Sequence, residues 1–114
     1  MIRIAIPIFQ KRISPVLDSC KRLIIVDAEK GREKVRTELF LDNLSLKDRC
    51  QFIIKVKVDI IICCGISNLF ETMLKSNDIQ LICGIVGNAE QVIIAYLKNR
   101  LDDPCYHIDE VETH

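Results

Sequence analysis

Tryptophan is missing from this 114-residue chain, and it carries only two tyrosines and four phenylalanines. An aromatic-rich sandwich is thereby disfavoured, and the abundance of Ile, Val and Leu suits a sheet covered by helices. Both histidines, His107 and His114, fall near the C-terminus, so no Ser–His–Asp or Cys–His catalytic set is in view. No C-x-x-C pair occurs, which removes the zinc-ribbon pattern. Neither G-x-G-x-x-G nor a Gly-Lys-Ser/Thr phosphate loop is present. No run of about 18 apolar residues exists, so no membrane-spanning helix is expected. The opening Met1-Ile2-Arg3-Ile4-Ala5 lacks a signal-peptide layout, because Pro7, Gln10, Lys11 and Arg12 end the apolar run early. A cytoplasmic location is expected, where the six cysteines are thiols or ligands and not a disulfide framework. Net charge is also lacking, yet residues 1–57 hold a balance of +6 and residues 58–114 one of −6. A nucleic-acid binder usually shows a net basic domain with aromatic or Arg-rich readers, and this chain does not. The basic half reads as solvated faces, with an anionic partner as the alternative.

At 49% apolar and 28% charged, the chain is globular, and its length predicts one domain. Ile2 to Phe9 is nearly continuous in apolar residues, as in a central strand buried on both faces, with Pro7 expected to mark its end. A connection over residues 10–21 leads to a second strand, Arg22 to Ala28, and the turn Glu29-Lys30-Gly31-Arg32. Glu33 to Phe40 then alternates like an exposed edge strand. Ser45 caps a helix with Leu46, Cys50, Ile53, Ile54 and Val58 at helical spacing. Asp59 to Cys63 is a strand, Ser67 caps a helix to about Lys75, Ile79 to Cys83 is a strand, and Asn88 caps a last helix. The order βββ-α-β-α-β-α with right-handed crossovers predicts an α/β fold, a five-stranded mixed sheet in the ribonuclease-H-like arrangement. Residues 1–101 form this domain. Residues 102–114, with five acids and no Lys or Arg, are expected to be a loosely held acidic tail.

One phrase is written twice: Asp59-Ile60-Ile61-Ile62-Cys63-Cys64-Gly65-Ile66 and Asp78-Ile79-Gln80-Leu81-Ile82-Cys83-Gly84-Ile85. Each copy is a strand running into cysteine and glycine, and ligands of open α/β sheets bind beyond the carboxyl ends of parallel strands. Cys20 lies in the loop that leaves the same rim. Cys20, Cys64 and Cys83 are therefore the candidate soft-metal ligands, since thiolates select zinc, copper(I) or iron–sulfur species. Adjacent residues of an extended chain face opposite ways, so Cys63 is assigned to the core and Cys64, beside Gly65, to the exposed side. The competing reading treats cysteine as a small buried hydrophobe, and it is strongest for Cys50. Gly65, Ser67, Gly84 and Gly87 precede helix N-termini whose amides favour anions, or they merely make tight turns. Cys105 and His107 could reach one ion, but read more simply as solvated tail. Ribonuclease-H-like nucleases place a carboxylate in the first strand to hold metal ions. Here it reads Ile4-Ala5-Ile6, so no enzyme is expected.

Taken in order, Ile4-Ala5-Ile6-Pro7, Ile13-Ser14-Pro15-Val16-Leu17-Asp18-Ser19-Cys20, Leu23-Ile24-Ile25-Val26-Asp27, Val58 to Ser67, Gly84 to Glu90 and Ala95-Tyr96-Leu97 resemble one family over roughly residues 1–101. It is the dinitrogenase iron–molybdenum cofactor biosynthesis family, the NifX/NifY-like domain. The resemblance implies a ribonuclease-H-like fold and a non-catalytic carrier or chaperone of an iron–sulfur or iron–molybdenum-type cluster, exchanged with a cluster-donor or cluster-acceptor protein. Many relatives carry a His/Gly-rich segment before the first helix. Leu41-Asp42-Asn43-Leu44 stands in its place here, so imidazole ligation is not carried over and a cluster must lean on thiols. The alternative is a metal-free interaction or regulatory module, binding a protein or a small anion at the glycine-lined rim.

Overall fold

Strand alternation sorts the apolar residues of this chain into two cores, one on each face of a sheet. A computed structural model describes residues 1–108. Strand β1 (Ile2–Phe9) is followed by β2 (Arg12–Ile13), β3 (Arg22–Glu29), β4 (Arg32–Phe40) and helix α1 (Leu46–Lys55). Then come β5 (Ile60–Ile62), α2 (Asn68–Lys75), β6 (Gln80–Ile82), α3 (Ala89–Leu97) and a 3-10 turn, Pro104–Tyr106. The main path of the sheet runs β4-β3-β1-β5-β6, with β2 paired to β1 alone. Strands β5 and β6 run parallel to β1, whereas β3 is antiparallel to both β1 and β4. The fold is mixed α/β, with three α-helices and six strands among the described residues.

Ile4, Ile6 and Ile8 of β1, Ile24 and Val26 of β3, and Ile60 and Ile62 of β5 pack against Val92 and Ile93 of α3. The intervening Ala5, Leu23, Ile25 and Ile61 face Cys50 and Ile53 of α1 and Phe70 and Leu74 of α2. Two-sided burial is why β1 and β5 read as continuous apolar runs. Each helix begins at a side-chain oxygen that accepts an otherwise unpaired amide. Ser45 accepts from Asp48 N–H, Ser67 from Phe70 N–H and Asn88 from Gln91 N–H, all at 3.1 Å.

The structure departs from expectation in three places. The sixth strand, Arg12–Ile13, is too short to carry a periodic signal, and it pairs with Ile8 and Phe9. Pro7 does not end β1. It lies beyond the last β1–β5 pair, Ala5 with Ile61, and its carbonyl accepts from Ser14 N–H at 2.9 Å. The supposed tail is joined to the rim as far as residue 108, with Val86 N–H donating to Tyr106 at 2.7 Å and Ile108 N–H to Gly84 at 2.9 Å. Asp109, Glu110, Glu112 and His114 lie outside the described residues.

Charge finishes the edges. Arg3 holds Asp27 across β1 and β3 through Nε at 2.7 Å and Nη2 at 3.1 Å, and donates to the carbonyl of Val56 at the end of α1. Arg36 on the edge strand grips Glu33 of its own strand and Glu90 in the first turn of α3. Hydrogen bonds from these arginines hold the Asp27 and Glu90 carboxyls below their ordinary range. A carboxyl depressed in the fold stabilises it above its unfolded pKa, about 4, and the contribution is lost as pH falls through the lower folded value. Urea midpoints measured between about pH 5 and about pH 2.5 should therefore fall with acidification. Arg3→Gln and Arg36→Gln should each flatten that fall, and unchanged pH profiles would remove these pairs from the account.

Candidate functional site: the thiol-bearing rim

The register of β5 against β6 pairs Ile60 with Gln80, Ile61 with Leu81 and Ile62 with Ile82. One step on, Cys63 N–H still donates to Ile82 at 2.9 Å, which sets Cys63 beside Cys83. Their Sγ atoms lie 3.8 Å apart. Cys63 is fully buried against α2, and Cys83 is exposed. The Cys64 side chain turns to the other face, half-buried against the α3 core. Burial and the neighbouring Cys83 push both the Cys63 and Cys64 thiols up. Along α2, Lys75 holds Glu71 at 2.7 Å, and both side chains lie within electrostatic reach of the pair.

Cys20 does not join them. Its side chain is 3% exposed and lies in the α1/α2 core. The buried Arg49 of α1 donates to the Cys20 carbonyl and to Leu44 O at 3.0 Å, and its Nη1 sits 3.9 Å from the Cys20 sulfur. Burial pushes this thiol up to about 11, with Arg49 opposing. Cys20 lines a separate cleft of about 420 Å³ with Phe9, Val16 and Arg22, a cleft that Cys63 and Cys83 do not line. Among the described residues, no three His, Cys, Asp or Glu side chains are grouped to hold one metal ion. The convergence of Cys20, Cys64 and Cys83 fails because Arg49 draws Cys20 inward and strand alternation turns Cys64 from Cys83.

The glycine rim is engaged internally as well. The loop carrying Pro15 to Asp18 folds onto the exit of β5, where Gly65 N–H donates to Pro15 O at 2.9 Å and Leu17 N–H to Gly65 O at 2.8 Å. Asp18 supplies the anion at the start of α2, accepting from Ser67 N–H at 2.9 Å and from the Ser67 hydroxyl. Gly84 N–H donates to Cys64 O at 2.9 Å, and Gly87 O accepts from Ile13 N–H at 2.9 Å. Anion binding by the amides of Gly65, Ser67 and Gly84 therefore has internal acceptors to displace. His107 Nε2 is 2.8 Å from Leu101 O, and the Cys105 backbone N–H donates to Asp103 Oδ1 at 3.0 Å.

Cys63 is the residue that sequence reasoning set aside. The signal was in the doubled phrase but displaced by one. Matching Asp59 to Asp78 aligns Cys64 with Cys83, whereas the hydrogen-bonded register aligns Cys63 with Cys83. A one-residue shift exchanges the two faces of a strand.

A mixed α/β domain with thiols where two parallel strands end defines the class. The family model described as dinitrogenase iron-molybdenum cofactor matches residues 1–99, and the chain belongs to that family. No curated protein matches it in sequence. Among solved structures, the crystal structure of PH0822 superimposes with a TM-score of 0.84 at 21% identity, covering 96% of each chain. A candidate dinitrogenase from Methanocaldococcus jannaschii gives 0.70 at 24% identity, over 86% of this chain and 89% of that one. A candidate NifB protein from Thermotoga gives 0.64 at 24% identity, over 96% and 99%. At these identities the likeness concerns the fold.

Two measurements test the rim. A Cβ added at Gly65 would lie 2.8 Å from Pro15 O, so Gly65→Ala should cost about 1–3 kcal/mol through forced displacement of backbone. Gly84, at φ +77°, has no atom within 4 Å of such a Cβ, so Gly84→Ala should cost about 1–2 kcal/mol of left-handed strain alone. In native alkylation, exposed Cys83 and Cys105 should react first and Cys64 later. Cys20, Cys50 and Cys63 should react only on unfolding. Early labelling of Cys20 would contradict its placement.

Proposed function

We propose that this protein is a non-catalytic carrier of an iron–sulfur or iron–molybdenum-type cluster, held by thiolates at the carboxyl-end rim of β5 and β6. The observation that supports this reading is the facing pair Cys63 and Cys83 at two strand exits, with Cys64 next to it on the opposite face, in a chain of this family. Thiolates suit iron–sulfur chemistry. Cys83 is the exposed point of entry and Cys64 the second ligand.

The cluster is cargo in this reading. Iron–sulfur clusters commonly take four cysteine ligands, and fewer protein thiolates leave metal positions to a donor or acceptor protein. A loosely held cluster is one that can be passed on. The sheet would be the ribonuclease-H-like arrangement of residues 1–101 without its hydrolytic carboxylates, since the middle of β1 carries no acid. Residues 106–108 flank the rim, and the cytoplasm would be the compartment that keeps the thiols reduced.

Anaerobic reconstitution with iron and sulfide, followed by visible absorption, tests the reading. Cys83→Ser should lose most of the cluster bound by wild type, Cys64→Ser about half, and Cys20→Ser little. Equal uptake by wild type and the Cys64→Ser/Cys83→Ser double variant would end it.

A further inference from the structure

The pairing of one buried and one exposed thiol across two neighbouring strands has a use that requires no metal. We propose that Cys63 and Cys83 form a reversible intramolecular disulfide, with Cys83 attacking and Cys63 resolving.

Position comes first. Strands in a sheet lie about 4.8 Å apart, inside the window of about 4.4–6.8 Å between the Cα atoms of a disulfide. The Sγ atoms are already 3.8 Å apart, and bonding needs them at about 2.0 Å. Rotation of the exposed Cys83 side chain supplies that approach, and Gly84 follows it at φ +77° with open space beside its Cα. Neither Cys20, held by Arg49, nor Cys64, on the opposite face, is set against Cys83 in this way.

Exposure then fixes the order of events. Cys83 can meet a small-molecule disulfide, whereas the fully buried Cys63 cannot. The Cys83 thiol gives up its proton and attacks one sulfur of the disulfide R–S–S–R. A Cys83–S–S–R bond forms, the R–S–S–R bond breaks, and the released RS⁻ takes a proton to become RSH. Cys63 then gives up its proton and attacks the Cys83 sulfur, expelling the second R group as RSH. Two protein thiols are oxidised by two electrons, and the small disulfide is reduced to two thiols. Thiol–disulfide exchange of this kind is reversible, so excess RSH restores the dithiol. The second step is intramolecular, and proximity offsets the reluctance of a buried thiol to ionise.

The inference stands apart from the carrier reading, although where both hold, oxidation withdraws Cys83 from the cluster. The full chain, metal-free, is incubated anaerobically with oxidised glutathione, then unfolded, alkylated and mapped by mass spectrometry. Wild type should show residue 83 linked to the peptide carrying residue 63, with glutathione adducts confined to the exposed Cys105. Cys64→Ser should behave in the same way, which separates Cys63 from its neighbour. Cys63→Ala should stop at a glutathione adduct on Cys83, and Cys83→Ala should form no protein disulfide and leave Cys63 free over the same period, with any adduct at the exposed Cys105. Six free thiols in wild type, or a link from Cys83 to Cys64 or Cys105, would overturn the proposal. Cluster uptake by reduced and oxidised protein is scored separately. A disulfide without cluster uptake refutes the carrier alone, and uptake without a disulfide refutes the switch alone.

Discussion

The parallel ladder between β5 and β6 is three residue pairs long, and the placement of every thiol at the rim depends on its register. With Ile62 opposite Ile82, the next side chains on the α2 face are Cys63 and Cys83. A slip of one residue would present Cys64 in place of Cys63 and would carry Ile60 and Ile62 out of the α3 core. The alternation that buries those isoleucines is therefore also what selects the facing pair of sulfurs. Packing fixes the chemistry here, since burying each of several apolar side chains is worth about 1.5–3 kcal/mol and a single sulfur contact at most about 1.5.

The second constraint is the closure of the Pro15 to Asp18 loop over Gly65 and Ser67. Its hydrogen bonds saturate the amides that would otherwise form an anion site, and Asp18 supplies the negative charge that the start of α2 favours. The same loop carries Cys20, and Arg49 secures the carbonyl next to its sulfur. Closing the loop and burying Cys20 are thus one event. A ligand that needed Cys20 would have to undo the Gly65, Ser67 and Arg49 contacts together, whereas a ligand at Cys83 displaces none of them.

Much of the fold was legible because its signals are local. Ser45, Ser67 and Asn88 are capping residues wherever they precede a helical pattern, and all three cap. The apolar run of β1 and the charged alternation of β4 mark a centre and an edge without reference to neighbours. Arg12–Ile13 was not legible, since two residues have no period. Arg49 was not either. A charged side chain reads as solvated, and only the tertiary placement of the Cys20 and Leu44 carbonyls explains its burial. The site was legible as a rim and not as a constellation. The doubled phrase located the strand exits, but the partner of Cys83 is set by hydrogen bonds between strands, which sequence order does not encode.

Burial divides the work among the thiols. Cys20, Cys63 and Cys64 are all pushed toward the neutral form, and the cause in each case is chiefly desolvation. A neutral thiol is neither a good ligand nor a good nucleophile. In both proposals chemistry at this rim starts at Cys83 because it is exposed, and a second sulfur is recruited afterwards. Both processes draw on the same exposed atom, so they compete. A protein built to keep a cluster permanently would gather its thiols in advance around one centre. This rim exposes one and holds its nearest partner behind it, which fits the proposed carrier as a protein of exchange more than of storage.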